Sequence, residues 1–403
     1  MNETESASEG ARDMKNNGLM LEHEALGWKV EHDEHGLGPS RLEVDGVLVM
    51  DGYANVIDGK GRNGEFSVRK SHVYRKSGIG IFESECALPS GVENGFWQAC
   101  RYGANVCRVT TDFQVKSGTL LKEPVECGSM RLHGKWVSLT TVPGFGTQEL
   151  KAGDSFVLEQ LPLVCLFQRE DGFVFEIDSG FDTWRWNYGL GFGNAFAEIT
   201  VGENGLDFKR FLVKPEPGLT DETALQPEAR EFRFCSQFAW SAKSTRESID
   251  LANVTKLEVL PRGKGVKCED LGGSGVVGID LAELEAAESS RAFSGNLMKD
   301  ELCWECNAYK QYAKKAIRQL VAKSSTGKLV ILGGLVPSIC DKGKHVDRPG
   351  KTIPHWDLNG IVTFSQWARQ SLGPGWNVQV QVPEPWDQLP SLQGLFETNG
   401  FES

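Results

Sequence analysis

The chain has 403 residues, 40% of them hydrophobic and 24% charged, which is enough to bury a large core or two domains. A formal net charge of -12 argues against nucleic acid as a partner, because phosphate binding draws on clustered Lys and Arg. No stretch of about 18 apolar residues reads as a membrane span, and the polar, acidic N-terminus lacks the charged-then-apolar order of a signal peptide, so a cytoplasmic location is the expected default.

Residues 1–18 carry almost no apolar content and read as a disordered tail. From residue 19 to about residue 262, apolar and polar residues alternate in short runs separated by Gly, Asn, Asp or Pro, the pattern of half-buried strands. Strands are expected at 41–50, 77–85, 107–115, 135–142, 156–168, 172–178, 206–213 and 231–240. Asp171-Gly172 and Glu203-Asn204-Gly205 supply tight turns between neighbours. The fold class is therefore mainly β, a large antiparallel sandwich. The Pro215 to Pro227 stretch reads as a loop, either a long excursion between strands or a domain boundary.

Past Pro261 the texture changes, and residues 263–403 read as a smaller mixed α/β part. Asp280, with Glu283 three residues on, resembles a capping box opening a short helix. Leu302, Cys306, Tyr309, Ala313, Ile317 and Leu320 recur at three- and four-residue intervals, one apolar stripe on a helix over 300–323. Residues 328–332 predict a strand, 357–372 a helix stopped by Gly373-Pro374, and 376–382 another strand. The ten cysteines are scattered, and without an export signal they read as buried thiols.

The segment from Glu176 to Asn187 concentrates unusual chemistry. If 172–178 is a strand with Phe173, Phe175 and Ile177 toward the core, the period of two puts Glu176 and Asp178 together on the other face. Extended backbone beyond Gly180 groups Asp182, Trp184 and Trp186 on one side, with Arg185 opposite. Sugar rings pack their C–H faces on indole while carboxylates and Arg bind hydroxyls, and glycoside hydrolysis needs two carboxyl groups roughly 5 to 9.5 Å apart. Glu176, Asp178 and Asp182 are the candidate acid, base or nucleophile, and Trp184, Arg185 and Trp186 the candidate sugar contacts. The competing reading is that both tryptophans are core residues and Arg185 a structural ion pair.

His345-Val346-Asp347 and His355-Trp356-Asp357 place two His-x-Asp elements on a loop rich in Pro and Gly. His345, Asp347 and His355 allow a metal-dependent reading, but their spacing matches no zinc signature, and no metal is assigned. Asp357 fits a helix N-cap as well as a substrate contact, and His355 is a candidate acid or base. Gly273 to Gly278 spells G-x-G-x-x-G, but Asp300 falls on a helix where a dinucleotide site needs a strand end, so a glycine-rich turn is the better reading. Cys303-Trp304-Glu305-Cys306 shares the helical stripe and reads as packing. There is no nucleophile elbow and no phosphate loop. No cofactor is called for.

The succession of strands to about Leu260, with Trp184-Arg185-Trp186 among them, resembles the β-sandwich of galactose-mutarotase-like proteins. The resemblance implies a sugar held on the concave face of a sheet by aromatic, Arg, His and acidic residues. Since that architecture hosts epimerases, hydrolases and lyases, the expectation is a carbohydrate-active enzyme with hydrolase-like acid/base chemistry, with a non-catalytic carbohydrate-binding or assembly protein as the alternative. Either takes a carbohydrate ligand.

Overall fold

Period-two alternation builds two antiparallel sheets whose apolar faces meet. A computed structural model describes residues 14–16, 20–24, 26–32, 38–56, 67–76, 79–87, 96–102, 105–114, 125–142, 144–159, 161–162, 164–179, 196–213, 231–241, 252, 255–256, 259–260, 265–266, 276–280, 315, 317–320, 322–323, 327–332, 339–340, 355–356, 371–372, 375–380, 385 and 388–391. The chain divides into two units, 1–243 with 398–403, and 244–397.

The first unit holds strands β1 (Met14–Asn16), β2 (Met20–His23), β3 (Trp28–His32), β4 (Pro39–Val44), β5 (Val47–Val56), β6 (Ser67–Lys76), β7 (Ile79–Ala87), β8 (Phe96–Tyr102) and β9 (Val106–Gln114). It continues with β10 (Val125–His133), β11 (Trp136–Val142), β12 (Gly146–Glu149), β13 (Ser155–Leu158), β14 (Val164–Arg169), β15 (Val174–Asp178), β16 (Phe196–Val201), β17 (Gly205–Val213) and β18 (Glu231–Trp240). One nine-stranded sheet runs β1-β2-β3-β4-β5-β10-β17-β16-β13, the other β12-β11-β14-β15-β18-β9-β8-β7-β6.

Aromatic side chains join the sheets. Trp28 of the first meets Trp240 of the second edge-on, centroids 5.6 Å apart at 82°, and Phe208 meets Phe167 at 5.9 Å and 76°. Such pairs add about 0.5–1.5 kcal/mol each beyond the area they bury. Trp28, Trp240, Tyr53, Tyr102, Phe167 and Phe175 are all fully buried. The mainly β fold expected from the sequence is the fold observed.

One interior position departs from an apolar core. Arg210 shares its face of β17 with Leu206 and Phe208 and is only 1% exposed. A bulge in β10 accommodates it: register shifts at Glu126–Met130, where Gly128 takes φ 71°. There the Arg210 amide donates to Ser129 Oγ at 3.0 Å and its Nε to the Cys127 carbonyl at 2.6 Å.

Four expectations change. Residues 41–50 form a hairpin, since Asp45 (φ 51°) and Gly46 (φ 75°) turn the chain between β4 and β5. Residues 156–168 split into β13 and β14, on different sheets, with Pro162 between them where no ladder donor is available. Met14–Asn16, inside the expected tail, pairs antiparallel with Leu21–His23. The second unit begins at Ser244, ahead of the expected 263, because Thr255–Lys256 pairs in parallel with Val277–Gly278.

The second unit holds β19 (Thr255–Lys256), β20 (Val259–Leu260), β21 (Gly265–Val266), β22 (Val276–Asp280), β23 (Gly327–Leu332), β24 (Ile339–Cys340), β25 (His355–Trp356) and β26 (Trp376–Val380). Its main sheet, β19-β22-β23-β26, is parallel at every pairing. The expected strands at 328–332 and 376–382 are β23 and β26. Residues 317–320 are helical with Ile317 and Leu320 buried and Arg318 exposed, the phase of the predicted stripe. Among the described residues no helix is long and apolar enough to cross a membrane.

Candidate functional site

β15 is built as its sequence predicts. Phe175 and Ile177 enter the core, Phe173 packs against it, and Glu176 and Asp178 take the opposite, outer face. That outer face is not open at β15, for Glu176 is 0% and Asp178 5% exposed.

The register draws two rows across the outer face. Glu176 stands between Leu166 and Ala239, both buried. Asp178 stands between Val164 and Gln237, Gln237 pairs with Arg108, and Arg108 with Arg101. Gln237 and Arg108 are half-buried, so the row runs from a covered carboxylate to a partly open guanidinium. Gln237, Arg108 and Arg101 were not singled out in the sequence, because their neighbourhood depends on which strands pair.

Hydrogen bonds at the strand ends fix this arrangement. Val174 N donates to Ser241 Oγ at 2.8 Å and Ser241 N to Val174 O at 2.9 Å, tying β18 to the start of β15. At the β14–β15 turn, where Gly172 takes φ 86°, the Asp171 carboxylate accepts both arms of Arg169 at 2.8 and 2.7 Å and the Phe173 amide at 3.1 Å. The Arg169 hydrogen bond holds the Asp171 carboxyl below its usual range.

Other polar groups belong to the interior. The Tyr53 hydroxyl meets Ser236 Oγ at 3.2 Å, and Gln98 Nε2 donates to Thr111 Oγ1 at 3.1 Å. Tyr102 and His32 share a 2.6 Å hydrogen bond at Nε2, and burial drives His32 down to about 3, so its ring is neutral. Cys100, Cys107, Cys127 and Cys165 are free and buried, as the sequence reading expected of the thiols, and burial pushes Cys165 up to about 12. These thiols pack rather than react. A surface hollow bordered by Glu22, Glu24, Glu43 and Trp28 offers acids, but Trp28 is 1% exposed and presents no ring platform.

Asp182, Trp184, Arg185 and Trp186 lie outside the described residues, as do His345, Asp347, Asp357, Cys303 and Cys306. His355 begins the short strand β25, its backbone opposite Cys340. The glycine motif is not a turn throughout, because Val276–Asp280 is a strand and Gly278 sits inside it, paired with Lys256 and Val330. Asp280 closes that strand.

No protein-family model and no curated protein sequence matches the chain. Solved structures similar to it include a galactose mutarotase-like protein from Lactobacillus casei, 10% identical over 57% of this chain and 99% of that one, at a TM-score of 0.32. They also include an α-N-acetylgalactosaminidase from Bifidobacterium bifidum, 11% identical over 88% of this chain and 57% of that one at 0.35, and a β-arabinopyranosidase, 8% identical over 90% and 67% at 0.36. At these scores the fold statement itself rests on the two nine-stranded sheets.

Proposed function

We propose that the first unit binds a carbohydrate on the outer face of the β15–β18–β9 ladder and acts on it by acid/base chemistry of the glycoside hydrolase kind. One observation carries the reading: Glu176 and Asp178 share the face of β15 that points away from the core, and both are buried there. Strand rise sets their Cα atoms about 6.7 Å apart, the scale of a carboxyl pair with room for a water between. Environment divides the roles. Glu176, between Leu166 and Ala239, is the acid that protonates the leaving oxygen, and Asp178, beside Gln237, is the carboxylate that takes a proton from the attacking water. Asp182, Trp184, Arg185 and Trp186, following β15 in the chain, supply a further carboxylate and a platform for the ring.

The complete burial of Glu176 favours a second reading, a binding protein in which the acids only shape the surface. Glu176→Gln and Asp178→Asn separate the two. In an enzyme each lowers turnover of an aryl glycoside about 100-fold or more with binding retained. A binder shows no turnover in any form and keeps most of its affinity. A wild-type chain that binds no sugar contradicts both.

A further inference from the structure

Among the largest fully buried side chains, which are otherwise aromatic, stands Arg210. Its amide is taken by Ser129 Oγ and its Nε by the Cys127 carbonyl, but its Nη2 is buried with no hydrogen-bond partner. Among the described residues no carboxylate forms an ion pair with it. The nearby thiols do not supply a negative charge either, because burial pushes both Cys127 and Cys165 up and keeps them neutral. A guanidinium does not shed its charge when buried, and a charge withdrawn from water without an opposite is costly.

The groups around Nη2 come from both sheets. Gly128 of β10, at φ 71°, leaves its place without a side chain. The position a Cβ would take there lies 2.8 Å from Arg210 Nη2 and 3.1 Å from the Tyr53 hydroxyl, so the two groups converge. The Tyr53 hydroxyl in turn meets Ser236 Oγ, from β18 of the other sheet, at 3.2 Å. A guanidinium N–H and two hydroxyls thus stand together in the interior, the donor set of an anion. A water molecule there would satisfy the hydrogen bond and leave the charge unbalanced. One positive charge calls for one negative charge, and Arg210 at 1%, Tyr53 at 0% and Ser236 at 5% exposure enclose a place where an organic anion would bring its carbon skeleton into the core.

We propose that the interior of the first unit binds a small monovalent anion, a halide such as chloride, at Arg210 Nη2 beside Tyr53 and Ser236. Low polarity around the site strengthens the attraction relative to bulk water. The ion lies between the sheets, on the far side of β15 from the outer-face acids, and is independent of any sugar. In the unfolded chain water surrounds the guanidinium, so the anion binds the folded unit alone and stabilises it.

The test is urea unfolding of the full chain, followed by tryptophan fluorescence, in sodium chloride and in sodium methanesulfonate at equal ionic strength. Chloride raises the ratio of folded to unfolded protein by up to about 10-fold for each tenfold rise in its concentration, the limit for one bound ligand. Bromide does the same, and methanesulfonate, with a methyl group to place, does not. In Arg210→Met the two salts become equivalent. Equal stability of the wild type in chloride and methanesulfonate overturns the inference, as does the same chloride advantage in Arg210→Met. Should Arg210→Met fail to fold, wild-type crystals grown in bromide decide: anomalous scattering in contact with Arg210 Nη2 supports the site, and a water molecule or nothing at that place overturns it.

Discussion

Asn105 and Trp240 hold each other twice, side chain to backbone at 2.7 Å and backbone to backbone at 3.1 Å. The turn of the β8–β9 hairpin is thereby fastened to the end of β18, whose Gln237 connects the Arg108 and Asp178 positions. Both groups are buried, so Asn105→Ala loses a hydrogen bond that water does not replace. The variant is expected to be about 1–3 kcal/mol less stable in urea denaturation, with the slope of the transition unchanged. A loss under about 0.5 kcal/mol contradicts the clamp.

Gly128 and Arg210 are matched in the same way. A Cβ at Gly128 would meet Arg210 Nη2 at 2.8 Å and the Tyr53 hydroxyl at 3.1 Å, on backbone at φ 71°. Gly128→Ala therefore carries both backbone strain and a clash, and about 2 kcal/mol of destabilisation is expected. Arg210→Met removes one clash partner but not the strain. The double variant should fall short of the sum of the singles by about 1 kcal/mol. Simple additivity in thermal or urea unfolding would contradict this contact.

His32 gives the first unit a specific acid sensitivity. Its ring is held down to about 3 by burial, against an ordinary 6.5. Below pH 6.5 the unfolded ring takes a proton that the folded ring refuses, so stability is complete above 6.5 and declines as pH falls toward 3. Between pH 7 and 5 the loss from this residue is about 2 kcal/mol. His32→Gln, which keeps a partner for Tyr102, should reduce the difference between the two urea midpoints accordingly. An equal pH dependence in both proteins would contradict the buried neutral ring.

How much was legible in the sequence depended on whether the signal was local. Period-two alternation located 231–240 to the residue, and Phe175 and Ile177 fixed which face of β15 Glu176 and Asp178 would take. The hairpin at Asp45-Gly46 is concealed in the sequence because apolar residues continue on both sides of it, although an Asp-Gly pair is the usual hairpin signature. The neighbours of Asp178 were not legible at all. Gln237 and Arg108 lie far from it in sequence, and only strand pairing joins them. Covering of the outer face was equally hidden, since alternation tells which face a residue takes and not what lies against it.

The central claim is that a sugar occupies the outer face of the β15–β18–β9 ladder beside Asp178 and Gln237. A crystal structure of the chain with a bound sugar tests it most directly. The account predicts ring hydroxyls within about 3.2 Å of the Asp178 carboxylate or the Gln237 amide. A sugar seated anywhere else on the molecule would contradict it.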